Sequence, residues 1–352
     1  MSGAPVEIAA QVVRWQAEHG RNQLPWQNTR DAYRVWLSEI MLQQTQVVTV
    51  LEYYARFLAR FPDVRQLAAA PQDEVLALWS GLGYYSRARN LHRCAQIVVA
   101  EHGGEFPRTV HELAALPGIG RSTAGAIAAF CYGVRAPILD ANVRRVLTRA
   151  LGFGADLAEA RNERALWSLA EALLPDTDLA STMPRYTQGL MDLGAGICLP
   201  RSPCCMLCPL QPVCVAGRAG DAERYPVRTR KLKRRAEAWW LLLRQDGAGR
   251  LWLERRASAG IWAGLYCPPV YASRQDLDEA LAPAVRSEVQ DLPAFTHVLT
   301  HRDLHLHPVL ARCDMAAPAG QCSEALVADW FTPEQWQGLG LPAPVRRLLD
   351  AL

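Results

Sequence analysis

Lysine is the residue that this 352-residue chain most conspicuously lacks. Lys231 and Lys233 are the only two, and arginine supplies the rest of its 38 basic side chains. Enzymes that form a Schiff base between a side chain and a substrate carbonyl use a lysine amine for it. The scarcity therefore excludes lysine-based covalent chemistry from everything that precedes Lys231.

Long hydrophobic runs and an N-terminal leader are also missing. No run of about 18 apolar residues occurs that would predict a membrane span, and the first residues lack the basic start and apolar core of a signal peptide. We therefore expect a cytoplasmic, bacterial-type protein with no membrane partner. Without a secretion signal, the ten cysteines favour thiols or a metal site over disulfides. The net charge of +3 is modest, so nucleic-acid binding would need local basic patches.

The chain from Leu116 to Arg145 carries the most distinctive pattern. Its first five residues, LPGIG, are too tight a turn for a helix, and apolar residues at helical spacing flank them on both sides. This pattern predicts a helix, a hairpin that contains Gly118 and Gly120, and a second helix. The free N–H groups at the start of that second helix suit a phosphate. Asp140 stands between an apolar pair and a basic run, and its position is also typical of a helix N-cap.

Four of the cysteines have the spacing of a metal centre. Cys198, Cys205, Cys208 and Cys214 form a C-x6-C-x2-C-x5-C pattern within residues 198–214. The spacing alone leaves zinc and an iron–sulfur cluster open. Cys204 is adjacent to Cys205 and competes with it as a ligand, although the distance along the chain to Cys208 favours Cys205.

The periodicity of the chain changes near residues 225–236. The segment RYPVRTRKLKRR contains seven basic residues and no acid, and strand, turn and strand patterns follow it, with Asp246-Gly247 at the turn. We therefore predict an α domain over residues 1–225, a basic linker over 226–236 and a smaller α/β domain over 237–352.

These features resemble the helix-hairpin-helix DNA glycosylases of the endonuclease III superfamily, and more specifically the MutY family of adenine DNA glycosylases. The similar segments are LPWQ (24–27), VWLSEIMLQQTQV (35–47), GLGYYSRARNLH (81–92), ILDANVRRVL (138–147) and MDLGAGIC (191–198). The resemblance covers the chain from about residue 5 to its C-terminus. It implies an all-α glycosylase domain with an iron–sulfur loop, followed by a MutT-like (Nudix-fold) α/β domain.

The resemblance also implies a cofactor and a substrate. The four cysteines would hold a 4Fe–4S cluster. The partner would be double-stranded DNA that contains adenine mispaired with 8-oxoguanine or guanine, and we expect a monomer to bind it.

Two carboxylates are predicted to perform the reaction, as in glycoside hydrolysis. The helical neighbours of Glu39 three and four positions away are mostly apolar, so burial should raise its pKa. The resemblance makes Glu39 the general acid that protonates adenine at N7. It makes Asp140 the group that stabilises the oxocarbenium ion or attacks C1′, with Asn142 orienting it.

Ser122 predicts the type of reaction. The lyase branch of the superfamily has lysine at this position of the hairpin, and this chain has serine. We therefore predict a monofunctional glycosylase that leaves an abasic site. Ser122 either contacts the substrate adenosine or forms a hydrogen bond within the hairpin, and the sequence leaves both alternatives open.

The remaining site residues are assigned from the resemblance. Trp26 and Gln188 would line the adenine pocket, and Gln44 and Tyr84 would fill the gap that a flipped base leaves. Other expected DNA contacts are Thr45, Leu82, Arg87, Gly118 and Gly120. Leu299, Thr300 and His301 stand where the family reads 8-oxoguanine with Phe-Ser-His, so the preference for 8-oxoguanine over guanine is left open by the change at position 299.

Two alternatives compete with this interpretation. A pyrimidine glycosylase or abasic-site lyase of the same superfamily is disfavoured by the missing lysine and by the second domain. A catalytically silent lesion-binding protein would keep the hairpin and the basic linker but would not need Glu39.

Overall fold

The structure is a computed structural model that describes residues 4–229, 234–281, 289–312 and 327–352. The chain divides into two compact units, one formed by residues 1–68 and 93–231 and the other by residues 69–92 and 232–352. Part of the predicted basic linker, residues 230–233, lies outside the described residues, and this part includes both lysines.

Helices account for the regular structure of the chain up to residue 229. In chain order they are α1 (Ala4–His19), α2 (Ala32–Met41), α3 (Val47–Arg60), α4 (Val64–Ala69), α5 (Gln72–Leu78), α6 (Ser86–His102), α7 (Val110–Ala115), α8 (Arg121–Tyr132), α9 (Ala141–Leu151), α10 (Ala160–Ala172), α11 (Leu179–Gly196) and α12 (Val215–Ala219). Short 3-10 turns lie at Cys205–Leu207 and Ala222–Arg224. The predicted all-α fold is confirmed. Within the described ranges, no helix is both long and apolar enough to span a membrane.

Glycines on α11 let that helix approach its neighbours closely. A Cβ at Gly189 would lie 2.6 Å from a methyl group of Val12 on α1, and one at Gly194 would lie 2.5 Å from Cβ of Asn142 on α9. Around these contacts the apolar side chains of α1, α8, α9, α10 and α11 form one buried core. Because of this packing, the first turn of α9 and the residue that precedes it are held against α11.

The helix, hairpin and helix predicted around residue 118 are present. Gly118 has a φ of +79°, a conformation that is strained for residues with a side chain. The N–H of Ile119 donates to the carbonyl of Leu116 at 3.2 Å and closes the turn. Further along α8, a Cβ at Gly125 would lie 2.5 Å from the carbonyl oxygen of Pro137. The segment that leads to Asp140 therefore rests directly on α8.

The second unit is built on a mixed sheet of eight strands among the described residues. The strands are β1 (Arg235–Gln245), β2 (Leu251–Arg255), β3 (Tyr266–Cys267), β4 (Val270–Tyr271), β5 (Val289–Asp291), β6 (Phe295–Val298), β7 (Arg302–Arg312) and β8 (Ala328–Phe331), with helices α13 (Arg274–Ala280), α14 (Pro333–Gln337) and α15 (Ala343–Leu349). The order is β3-β2-β1-β7-β5, while β4 pairs with β1, β6 with β7 and β8 with β2. The long strands β1 and β7 run parallel. The expected α/β class is confirmed.

The turn between β1 and β2, which the sequence predicts at Asp246-Gly247, is stabilised by the side chain of Asp246. The buried carboxylate of Asp246 accepts hydrogen bonds from the N–H groups of Ala248 (3.0 Å) and Arg250 (2.8 Å), and from Nε of Arg250 (2.7 Å). One side chain therefore satisfies two backbone N–H groups of the turn.

Residues 69–92 pack with the C-terminal part of the chain, whereas the domain prediction placed them within residues 1–225. The hydroxyl of Tyr85 donates to the carbonyl of Leu341 at 2.7 Å, and Arg255 forms an ion pair with Asp73 at 2.9 Å. Contacts between residues so far apart in sequence explain why a composition change near residue 225 did not reveal this grouping.

Candidate active site and cysteine centre

A pocket of about 710 Å³ opens in the helical unit. The side chains that line it come from the end of α1, the 22–30 loop, α2, α8 and α11. Three of the predicted site residues, Glu39, Trp26 and Gln188, are among them. Helix α2 presents Glu39 because Asp31 caps its first turn, accepting from the N–H groups of Tyr33 and Arg34.

The environment of Glu39 changes its protonation. Burial raises the pKa of Glu39 from its ordinary value of 4.5 to about 8, and the negative charge of Asp140 raises it further in the same direction. The expected rise is confirmed. At neutral pH this carboxyl group is mostly protonated and can donate its proton, and the influence of Asp140 on its pKa means that the two carboxyl groups interact.

Asp140 is the N-cap of α9. Its carboxylate accepts the N–H of Val143 at 2.7 Å. Burial raises the pKa of Asp140, while hydrogen bonds from the N–H groups of Val143 and Asn142 and the charges of Arg145 and Arg144 oppose that rise. The helix start therefore holds the carboxylate in place and favours its negative form.

Asn142 and Ser122 both form hydrogen bonds close to Asp140. The backbone N–H of Asn142 donates to the Asp140 carboxylate, and the side-chain Oδ1 of Asn142 accepts from Arg145 at 2.9 Å. The orienting role expected of the Asn142 side chain stays a prediction. The hydroxyl of Ser122 accepts the N–H of Leu139, in the segment that leads to Asp140, at 3.0 Å. Both roles expected for Ser122 stay predictions.

Gln27 is a pocket residue that the sequence analysis missed. It lines the pocket beside Trp26, and its Oε1 accepts from the N–H of Leu24 at 3.1 Å. Its Nε2 is buried and has no hydrogen-bond partner in the part of the chain that the structure describes. A buried donor left unpaired costs about 1–3 kcal/mol, so an acceptor on a ligand would suit this atom. Gln27 is part of the LPWQ segment (24–27) that resembles the family, but only Trp26 of that segment was predicted to line the pocket.

Gln44 and Tyr84 both have a left-handed backbone conformation. Their φ angles of 57° and 47° lie in the left-handed region, which non-glycine residues seldom adopt, and both side chains are exposed. Thr45 is partly buried, and its hydroxyl donates to the carbonyl of Gln43 at 3.4 Å. At the start of α8, Gly120 caps the helix without a side-chain hydrogen bond, which leaves that end suited to a phosphate.

Leu82 and Arg87 are buried at the turn of residues 81–84, which contains Gly81 and Gly83. Only 6% of Leu82 and 8% of Arg87 are exposed. The guanidinium of Arg87 donates to the carbonyls of Leu82 and Gly83, each at 3.2 Å, and lies over the rings of Trp79 and Tyr84. Burial lowers the pKa of Arg87 to about 10. In this structure both residues pack around the backbone that presents Tyr84, and their expected DNA contacts stay predictions.

Residues 299–301 form the connection between β6 and β7. The N–H of Leu299 donates to the carbonyl of Arg302 at 2.8 Å, and the side chains of Thr300 and His301 are exposed. The hydroxyls of Thr300 and Tyr84 lie 2.9 Å apart and share a hydrogen bond. Two predicted DNA contacts of the second unit are thus joined directly.

The four predicted cysteine ligands line one cavity, whereas Cys204 is exposed and does not line it. Cys214 caps α12, and its Sγ accepts the N–H of Gly217 at 3.2 Å. A buried guanidinium, that of Arg149, donates to Sγ of Cys198 at 3.3 Å. Across the described ranges, no three His, Cys, Asp or Glu side chains meet closely enough to hold a single metal ion.

Comparison with known proteins agrees with both halves of this description. The model of the HhH-GPD superfamily of base excision DNA repair proteins matches residues 37–172, and that of the NUDIX domain matches residues 238–351. An adenine DNA glycosylase of Buchnera aphidicola (subsp. Acyrthosiphon pisum) is 34% identical over 345 residues, which cover 96% of this chain and 95% of that protein. One of Mus musculus is 44% identical over 214 residues, or 58% of this chain and 41% of that protein.

Solved structures agree as well. A thermostable thymine-DNA glycosylase is similar with a TM-score of 0.55 and 29% identity, over 61% of this chain and 97% of that one. The bacterial relative aligns along almost the whole length of both chains, and the two domain families match in the order that the fold predicts. The chain therefore belongs to the adenine DNA glycosylases, a family of DNA repair enzymes built on the helix-hairpin-helix fold.

Proposed function

We propose that the chain hydrolyses the N-glycosidic bond of adenine paired with 8-oxoguanine or guanine in double-stranded DNA. The observation that carries this proposal is the place of Glu39 in the pocket, where burial raises its pKa to about 8 and so favours a proton donor at neutral pH. It lines the same pocket as Trp26 and Gln188, and it interacts with a second carboxylate.

Glu39 is the general acid. Adenine leaves a sugar poorly as an anion, and a proton delivered to its N7 lets it leave as a neutral base. The electron pair of the C1′–N9 bond then goes to the base, and positive charge develops on the sugar. The carboxyl group of Glu39 provides this proton and becomes a carboxylate.

Asp140 stabilises the charge that this step creates. Its carboxylate, held by the first turn of α9, opposes the oxocarbenium ion or attacks C1′ to form a short-lived ester. Water then adds to C1′, breaks the ester bond to Asp140 where that bond has formed, and gives a proton to the carboxylate of Glu39, so that an abasic site remains. Asn142, Ser122 and Arg145 keep Asp140 and its helix in place.

The reaction stops at the abasic site. Strand cleavage by the lyase branch requires an amine, and Ser122 stands at that position with its hydroxyl already bonded to the N–H of Leu139. No lysine occurs before Lys231.

DNA contacts come from both units. Flipping adenine out of the duplex costs a few kcal/mol and is easiest at a mismatch, and the exposed side chains of Gln44 and Tyr84 would fill the space. The turn at Gly118 and Gly120 would bind a backbone phosphate. Residues 299–301 would contact 8-oxoguanine, with Thr45 beside the same base.

A 4Fe–4S cluster is the group that we propose for the cysteine centre. Cys198, Cys205, Cys208 and Cys214 line one cavity, and four thiolates are the ligand set of such clusters. The adjacent guanidinium of Arg149 would offset the negative charge of four thiolates. The cluster would fix the loop of residues 198–214 on the ends of α9 and α11.

The test is single-turnover release of base from three duplexes that carry A:8-oxoguanine, A:G or T:G. We expect adenine release from the first two, no thymine release, and strand breaks only after alkali. Glu39→Gln should abolish release, whereas the matched change Glu52→Gln, on an exposed glutamate of α3, should not. Thymine release would favour the activity named for the similar thymine-DNA glycosylase, and binding without any release would favour a lesion-binding protein.

A further inference from the structure

The pocket residue Gln188 is hydrogen-bonded to a buried carboxylate, that of Asp192, which has no role in the proposed reaction. Asp192 lies four residues further along α11 and is almost completely buried, with 4% of its surface exposed. Its Oδ1 accepts from Nε2 of Gln188 at 2.8 Å and from Nε of Arg21 at 2.6 Å. Its Oδ2 accepts the backbone N–H of Arg21 at 2.9 Å. Three donors thus converge on one carboxylate.

This arrangement fixes the orientation of the Gln188 amide. An ionised carboxylate only accepts hydrogen bonds, so the amide nitrogen of Gln188, and not its oxygen, must be the atom that faces Asp192. The usual ambiguity between the two ends of a glutamine amide is therefore removed by chemistry. Oε1 is the remaining polar atom of Gln188, and it has no hydrogen-bond partner among the described residues.

Gln188 lines the large pocket with Glu39 and Trp26, whereas Asp192 and Arg21 line a separate cavity and do not line the large one. Because Asp192 engages Nε2 of Gln188, Oε1 is the amide atom that remains for a ligand in the large pocket. We infer that the pocket presents a hydrogen-bond acceptor at this point.

We propose that Asp192 is a positioning residue that sets base specificity by keeping the amide oxygen of Gln188 toward the 6-position of the purine. The 6-amino group of adenine donates to this oxygen. The 6-oxo group of hypoxanthine, otherwise the same size, would face it acceptor to acceptor. This inference rests on the proposed function, because it requires that the pocket binds adenine.

A purely structural role for Asp192 would look different. Its ion pair with Arg21 would then contribute to stability alone, and losing it would weaken the action on every base equally. Only an orienting role changes the ratio between two bases. That ratio is therefore the quantity to measure.

Asp192→Asn is the sharpest change. The backbone N–H of Arg21 is fixed and requires an acceptor, so the single oxygen of the new amide should stay there, and its NH2 group should turn toward Gln188. Gln188 then turns its oxygen to that NH2 group and offers Nε2 to the pocket. The side chain of Arg21 is 40% exposed and can turn into water.

The experiment measures single-turnover release of adenine and of hypoxanthine, each opposite 8-oxoguanine. The proteins are the wild type, Asp192→Asn, Gln188→Ala, the double variant and Thr187→Val. Thr187 is the matched control because its buried hydroxyl has no partner among the described residues and it lies on the same helix.

We expect the rate ratio of adenine to hypoxanthine to fall by about tenfold or more in Asp192→Asn, with hypoxanthine released faster than by the wild type. In the Gln188→Ala background, Asp192→Asn should leave the ratio unchanged, and so should Thr187→Val alone. Equal losses on both bases, or the same fall without Gln188, would overturn the inference. A wild type that releases no adenine would overturn the proposed function as well.

A second variant covers the case in which Asp192→Asn does not fold, as judged by its thermal melt. In Asp192→Ser the hydroxyl both donates and accepts, so the amide has no fixed orientation. The ratio should then fall by a smaller factor, and an unchanged ratio contradicts the role of Asp192.

Discussion

The helical unit and the second unit hold their candidate functional groups in opposite environments. Glu39 and Asp140 lie in surroundings that raise the pKa of each mainly by burial. Tyr84 and Thr300 are exposed and are bonded to each other. At Glu39 burial favours the protonated carboxyl group at neutral pH, whereas exposure makes a side chain available to DNA. The difference indicates that bond breaking and lesion recognition depend on separate residues and can be changed separately.

The largest expected effect comes from the buried side of this comparison. Asp140→Asn should reduce single-turnover adenine release by about 10³-fold or more, since the charge that opposes the oxocarbenium ion is lost, while the amide still caps α9. Affinity for mismatched DNA, measured by fluorescence anisotropy, should change little.

The control for this change is Asp178→Asn. Asp178 is exposed and has a φ of 44°, which asparagine tolerates. Normal adenine release by Asp140→Asn, or an equal loss in the control, would contradict the assignment.

Adjacent cysteines provide the next test. Cys205→Ser should remove one cluster ligand, and with it much of the visible absorption and thermal stability of the purified protein. Cys204→Ser changes an exposed thiol outside the cavity and should preserve both. The reverse result would exchange the two ligands, and absence of any visible absorption in the wild type would favour zinc.

Stability should reveal the cost of burying Glu39. Its folded pKa of about 8 exceeds the ordinary value of 4.5, so its contribution to stability is fully present below pH 4.5 and is lost as pH rises through about 8. Glu39→Gln has no charge to bury. We expect it to be more stable than the wild type at pH 8.5 by on the order of 2 kcal/mol, less than the full linkage value because Glu39 is partly exposed to the pocket.

Denaturant melts at pH 4.5 and pH 8.5 measure this difference. The two proteins should be nearly equal at the lower pH. A difference that does not depend on pH would mean that the substitution acts through packing and not through the charge.

The smallest expected effect belongs to the exposed side. Thr300→Val and Tyr84→Phe each remove the hydrogen bond between these residues, which is worth about 0.5–1.5 kcal/mol. The preference for A:8-oxoguanine over A:G should fall by roughly 2- to 10-fold, with A:G release unchanged. The double variant should lose no more than either single change, and fully additive losses would mean that the two hydroxyls act independently.

Local chemistry explains which features could be predicted. The hairpin at Gly118 and the cap at Asp140 depend on neighbours within a few positions, which the sequence displays. The raised pKa of Glu39 was predicted from the apolar neighbours on its own helix, although Asp140, which is distant in sequence, also contributes to it. The burial of Arg87 depends on where the ring of Trp79 lies, and the hydrogen bond from Arg145 to Oδ1 of Asn142 depends on which acceptors the fold brings near the guanidinium. Neither can be read from spacing, because several acceptors are available and the fold decides among them.

The grouping of residues 69–92 with the C-terminal unit illustrates the same limit over a longer range. The bond of Tyr85 to the carbonyl of Leu341 spans 256 positions, and neither residue carries a pattern that points to the other. Gln27 was missed for a related reason, since an unpaired amide becomes visible only when the surrounding chain is in place.

The central claim is that Glu39 delivers the proton, and the pH dependence of the wild type tests it most directly. Single-turnover release of adenine opposite 8-oxoguanine should be steady below the pKa of Glu39, about 8, and should fall about tenfold per pH unit above it. A rate that stays constant through pH 9.5, with the DNA still bound, would contradict the claim.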